Sequence, residues 1–333
     1  MIKLFSSNKI IISILFLPIL LCLAGIDYYQ GTEIIQEVQQ GSSLSSLMLA
    51  PFYSLPVLYQ YMFSALLIFV QLILLIVISN KHQLQKSTNL LVGLFFVIFL
   101  AFIPQPLVIN GSLIANFFII GSIDQVLDSY KKHKAFGNII NAGFFIGIAS
   151  LFNPVLIFLL IWAYIAILQL RSFKLAERIL LLIATLLPYY LLGVWMFFKG
   201  NLTSYFNSSF FEPFYITKLS TLSQKEIIGL IMILTAAVVL IINFRNYLVK
   251  RSMVVQRKIS SLFFFFVFSL FLFLFEGFTS LNLIILLALP MSVFSSILAQ
   301  NANPKWAELI TLLLVINILC LRVEFILAIF GLN

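Results

Sequence analysis

The chain has 333 residues, 62% of them hydrophobic and only 9% charged, with a mean hydropathy of +1.13 and a formal charge of +9. So few charges could not cover the apolar surface of a water-soluble domain of this length, which excludes that class. The apolar runs are continuous and about 17–24 residues long, so they point to an all-α, polytopic transmembrane bundle and away from the alternating pattern of a β-barrel.

Residues 1–26 place Lys3 and Lys9 ahead of an apolar stretch, in the manner of a signal peptide. Leu21 directly precedes Cys22, where a lipoprotein signal needs a small residue, and many further spans follow. The segment therefore reads as a retained first transmembrane helix. Asp27 closes it. "GTEIIQEVQQG" (31–41) then puts Ile34, Ile35 and Val38 on one helical face and Glu33 and Glu37 a turn apart on another. That is the pattern of a short helix lying along the membrane surface. Pro51 and Pro56 break helix before the chain re-enters the membrane. Spans are expected at 10–26, 56–79, 88–104, 111–129, 137–152, 154–170, 177–198, 226–243, 259–275, 279–298 and 306–327. This makes eleven, or ten if two short ones form a re-entrant pair, within a single integral membrane domain (1–333). Two outer loops, 27–55 and 199–225, are long enough to carry function.

The charges fix the expected orientation. With the N-terminus in the cytoplasm, 16 of the 20 basic residues fall on the inner side, and only Lys199, Lys218, Lys225 and Arg322 fall outside. This is the asymmetry that the positive-inside rule expects of a multi-pass membrane protein, and it leaves little positive surface for nucleic acid. Seven of the 11 acids lie outside, Asp27, Glu33 and Glu276 among them.

A carboxylate where a span meets an outer interfacial helix has the chemistry of a general base, which makes Asp27 the leading candidate. Glu276 ends the run "FFFFVFSLFLFLFEG" (263–277), where a charge is costly unless it meets water or a cation such as Arg322. Asp124 and Asp128, four apart in "GSIDQVLDSYKKHK", share a helix face near its inner end. Lys131, Lys132 and Lys134 follow, so a salt-bridged helix end is expected there rather than a proton or metal site, and no metal or other cofactor is expected. His82 and His133 lie in basic loops and are expected to be solvated. "NAGFFIGIASLFNP" (141–154) places Gly143 and Gly147 four apart, a face for close helix packing, before a sharp return at Asn153-Pro154. Pro188 and Pro290 are expected to kink their helices.

The order of parts carries a resemblance. A single span ends in an acid, and a sizeable outer loop with an interfacial helix follows. Closely spaced short spans come next, "LIANFFIIGSIDQVLDSYKKHKAFGNIINAGFFIGIASLFNPVLIFLLIWAYIAILQL" (113–170). Over roughly residues 1–200 this resembles the membrane half of type C glycosyltransferases (GT-C), which take a sugar from a polyprenyl-phosphate carrier at the outer face. The chain also resembles an uncharacterised family of bacterial inner-membrane proteins. The GT-C resemblance implies that Asp27 is the catalytic base, with Glu33 or Glu276 positioning the acceptor. Lys199, Lys218, Lys225 and Arg322 are the outer cations available to hold the carrier phosphate. The chain departs from that family in lacking a paired-acid motif after Asp27, an Asp-any-Asp motif and a large soluble domain. Two other readings stand beside it: a non-enzymatic membrane subunit of an envelope assembly or secretion complex with protein partners, and a transporter or lipid flippase. The latter would use polar groups such as Asn116, Asn141, Asn282 and Glu276 along a central path. Membrane lipid is a partner in every case.

Overall fold

A computed structural model describes residues 13–30, 49, 51–52, 54–87, 89–102, 109–132, 134–200, 224–249, 251–276, 283–302, 308–309 and 311–316, with 27, 29, 30, 224–226, 275 and 276 described by backbone alone. Among the described residues every regular element is helical. In chain order these are α1 (Phe16–Gln30), α2 (Val57–Lys81), α3 (Leu91–Ala101), α4 (Gly111–Asp128) and α5 (Phe136–Phe152). A 3-10 turn (Pro154–Phe158) leads into α6 (Leu159–Leu170) and α7 (Leu175–Phe198). The order closes with α8 (Gln224–Ile242), α9 (Phe244–Leu248), α10 (Met253–Glu276) and α11 (Ile284–Asn301). Four of them, α2, α7, α10 and α11, are long and apolar enough to cross a membrane, and shorter apolar helices accompany them.

The expected spans map onto these helices with instructive shifts. α1 runs on to Gln30, so Asp27 belongs to the helix rather than following it. α10 begins at Met253, six residues before the apolar run, because its polar first turns are used. The Gln256 side-chain amide donates to the Leu248 and Arg251 carbonyls, and Lys258 reaches His82. The span expected at 154–170 is broken. Pro154 has no N–H to donate, Asn153 accepts from the Val155 amide, and a 3-10 turn precedes α6. Pro188 and Pro290 both sit inside continuous helices. The interfacial helix expected at 31–41 and most of the second outer loop, 201–223, lie outside the described residues, as does most of the last expected span.

Two short-range features organise the interior. All 11 residues of α3 are buried, as befits a helix hydrophobic on every side. At about 1.5 Å per residue α3 rises only about 17 Å, half of a hydrocarbon core of about 30 Å, so it is packed within the bundle rather than spanning it alone. Polar side chains join the neighbouring helices. Gln71 Nε2 on α2 donates to the Leu113 carbonyl of α4 at 2.7 Å, Asn116 Nδ2 returns a bond to Gln71 Oε1 at 3.0 Å, and Ser122 on α4 donates to the Ala142 carbonyl of α5. Trp162 on α6 donates to the Ser261 carbonyl of α10 at 3.0 Å and meets Phe265 edge-on. Bonds of this kind are worth making in an apolar surround, where an unpaired group has no water to turn to.

α5 and α7 show the close approach that the small-residue face implies. A Cβ on Gly143 would come within 2.6 Å of the Leu181 carbonyl, and one on Gly147 would collide with the Thr185 carbonyl and sit 2.9 Å from Pro188 Cγ. The opposite face of α7, with Ile179, Ile183, Leu186, Tyr190 and Phe197, is exposed and apolar, as expected for a lipid-facing surface. Gly147→Leu is expected to separate α5 from α7 and destabilise the fold by about 1–3 kcal/mol. A thermal melt of the detergent-purified variant checks this, with Gly137→Ala, which has open space around it, as the unaffected control.

Candidate functional site

Most charged residues of the described helices gather at one end of the bundle, where the carboxyl ends of α2, α4, α6 and α11 meet the amino ends of α7 and α10. Asp124 and Asp128 stand one turn apart at the end of α4. Two acids there oppose the negative end of the helix dipole. Lys81, the last residue of α2, answers both: its Nζ lies 2.8 Å from Asp124 Oδ2 and 2.7 Å from Asp128 Oδ2. The salt-bridged helix end expected from sequence is therefore present, but its cation comes from another helix rather than from the lysines that follow Asp128.

His82 is the main correction. It was expected in solvent, yet it is 2% exposed. Its Nε2 is 2.9 Å from Asp124 Oδ1 and its Nδ1 is 2.9 Å from Lys258 Nζ on α10. A lysine ammonium only donates, so Nδ1 must accept and Nε2 must carry the proton given to Asp124. Burial is tolerated because both ring nitrogens are bonded and cations and carboxylates face one another. His133 lies outside the described residues.

His82, Asp124 and Asp128 bring potential ligand atoms within 4.8 Å of one another, a His-plus-two-carboxylate set of the kind that holds transition metals. The chemistry of the donors fits a fixed ammonium better. Lys81 already bridges both carboxylates, and the proton on Nε2 points at Asp124. A metal would have to expel the one and deprotonate the other.

A second ion pair lies beside the first. Arg171 grips Glu177 with two parallel bonds of 3.0 and 2.8 Å, while its Nη1 donates to the carbonyls of Ser129 and Lys132. The pair is buried, at 7% and 2% side-chain exposure, and it ties the end of α4 to the corner between α6 and α7. Arg178 lies against the rings of Tyr164 and Phe173. On the other side of α2 the loop 82–87 is pinned to α11: Gln85 donates to Ser296, and Gln300 accepts from the Lys86 amide.

The outer candidates fare differently. Asp27 is placed on α1 by backbone alone, as Glu276 is at the end of α10 and Lys225 near the start of α8. Glu33, Lys218 and Arg322 lie outside the described residues. Lys199 follows α7, with its Nζ 4.0 Å above the Trp195 ring. Beside it Phe197 and Phe198 are exposed, the aromatic dressing of a membrane boundary. Asn116, a candidate for a transport path, is buried and committed to Gln71. What sequence reading missed is the convergence of Lys81, His82 and Lys258 on α4. The available signal was two aspartates facing one way from a helix end, which demands cations without naming them.

Fold and site together define a protein of membrane type, all-helical among the described residues, with its ion pairs there collected at one end. Residues 35–329 match the Family of unknown function (DUF6427), and the chain belongs to that family. It matches no curated protein and no solved structure.

Asp124→Asn leaves the Lys81 ammonium with one partner in place of two and weakens the hold on His82, and is expected to cost about 1.5–3 kcal/mol. Thermal unfolding in detergent measures this. Lys81→Met is expected to cost less in the Asp124→Asn background than in the unaltered protein, because one of the two ion pairs of Lys81 is already gone while that with Asp128 remains.

Proposed function

We propose that the protein is a membrane-embedded glycosyltransferase of GT-C type, acting at the outer face of the bacterial inner membrane with its N-terminus in the cytoplasm. Its donor is a sugar linked to a polyprenyl phosphate. Asp27 takes the proton from the acceptor hydroxyl as that oxygen attacks the sugar carbon, and the polyprenyl phosphate leaves with the bonding electrons. Glu33 or Glu276 orients the acceptor, and Lys199, Lys218, Lys225 or Arg322 offsets the charge on the leaving phosphate.

The observation that carries this reading is the helical register of α1. Phe16, Leu20 and Ala24 form its buried stripe. At about 100° per residue, position 27 falls on the same side of the helix axis as those three. Tyr28, the next residue, packs edge-on against Tyr61 of α2, with ring centroids 5.8 Å apart. Position 27 thus shares the helical register of the buried stripe near the carboxyl end of α1, which supports reading its carboxylate as kept for use rather than for packing. The acids at the other end give the complementary support: Asp124, Asp128 and Glu177 are each held by a cation, so they are poor candidates for a base.

The test is transfer from polyprenyl-phosphate-linked sugars in inverted and right-side-out vesicles, together with complementation of a deletion strain. Asp27→Asn is expected to lower transfer by about a hundredfold or more while the protein inserts and accumulates normally. Full complementation by Asp27→Asn would remove the enzymatic assignment.

A further inference from the structure

Next to the ion cluster is a cavity of about 510 Å³, lined by Asn80, Gln83, Lys86, Ser87, Arg251 and Ser252 among others. None of the described residues lining it is acidic. Arg251 supplies the decisive feature. Its Nε and Nη2 are buried and have no hydrogen-bond partner among the described residues. Burial without a counter-ion holds the guanidinium below its ordinary pKa. A part-buried guanidinium with two idle donors calls for an anion that offers two acceptor oxygens. The other arginine with idle donors, Arg178, is covered by Tyr164 and Phe173, whereas Arg251 faces a cavity.

The rest of the wall suits the same kind of ligand. Ser252 immediately precedes α10, a 24-residue helix, and Val255 lies in its first turn, so the positive dipole end of that helix borders the cavity. Lys86 adds a second cation. The opposite wall is rigid: His82 anchors it to Asp124 and Lys258, and Gln85 and the Lys86 amide anchor it to Ser296 and Gln300. Gln83 holds a left-handed backbone conformation, with φ of 52°, to make the turn between those anchors. The cavity is therefore formed before any ligand arrives, and its volume is that of a small-molecule site, about 300–1,000 Å³, rather than that of a bare ion. It sits where α2 ends and α10 begins, both of them long apolar helices, which is the level of lipid headgroups.

We propose that this cavity binds a phosphate-bearing headgroup, supplied by an acidic phospholipid of the surrounding leaflet, with Arg251 gripping the phosphate oxygens and Lys86 and the amino end of α10 completing the charge. Basic pockets between membrane helices bind acidic lipids in this manner. The inference is independent of the transferase reading, which concerns the other end of the bundle.

The experiment uses the full chain, purified in mild detergent, delipidated, and titrated with phosphatidylglycerol or phosphatidylcholine under native mass spectrometry. Phosphatidylglycerol is expected to bind about tenfold more tightly, and Arg251→Gln to abolish the difference. Lys86→Gln, at an exposed side chain whose loss leaves no helix contact broken, should reduce it in the same direction should Arg251→Gln fold poorly. Arg245→Gln, at an exposed arginine of the same end, should leave it unchanged. A parallel melt with glycerol 1-phosphate and inorganic phosphate separates the sources. A shift abolished by Arg251→Gln, without lipid preference, supports the anion site with a soluble phosphate ester as its occupant. Equal binding of both lipids together with no response to either phosphate overturns the proposal.

Discussion

The cluster of Lys81, His82, Lys258, Asp124 and Asp128 is the interaction on which the described bundle depends. An apolar helix that ends in two carboxylates cannot be packed among others unless cations reach it, and the cations come from α2 and α10. Their arrival sets where those helices stop. Lys81 must be the last residue of α2, and α10 must start early enough to bring Lys258 to His82. Once His82 is fixed, the chain leaving α2 is held in a tight loop, and Gln85 and Lys86 attach that loop to α11. Arg171 applies the same logic on the far side of α4 by collecting two open carbonyls and Glu177. The ends of six helices are thereby tied by charge and hydrogen bonding, while the helices between those ends meet through apolar contacts and glycine.

This division explains what could be read from the sequence. Apolar runs and their length mark the helices directly, and Gly143 with Gly147 announces a close helix contact because spacing alone puts both on one face. The return at Asn153-Pro154 is equally local: the proline cannot donate, and the asparagine caps. The charge cluster is not local. Lys81 and Asp124 are 43 residues apart, His82 and Lys258 are 176 apart, and nothing near any of them names its partner. For the same reason His82 reads as a loop histidine, since the sequence shows its polar neighbours but not the helices that cover it. The short buried helix α3 reads as a span because hydrophobicity all round does not separate a lipid surround from a protein one.

Two ends of one molecule then carry different chemistry. At the end where basic residues collect, carboxylates are used up in pairing, and what is left over is positive: Lys86 and the two idle donors of Arg251 around a formed cavity. At the other end Lys199 lies over the Trp195 ring beside the exposed Phe197 and Phe198, and α1 carries Asp27 in its last turn. The proposed transfer at one face and the proposed lipid seat at the other would use both ends without either interfering with the other.

The central claim is that the ion cluster and the carboxyl end of α7 lie on opposite sides of a membrane, with the cluster inside. Single cysteines in a background lacking Cys22 and Cys320 test it directly with a membrane-impermeant maleimide. The account predicts that Gly200→Cys reacts in intact cells and that Lys134→Cys reacts only after permeabilisation. Labelling of both from the same side, or of Lys134→Cys alone in intact cells, would contradict it.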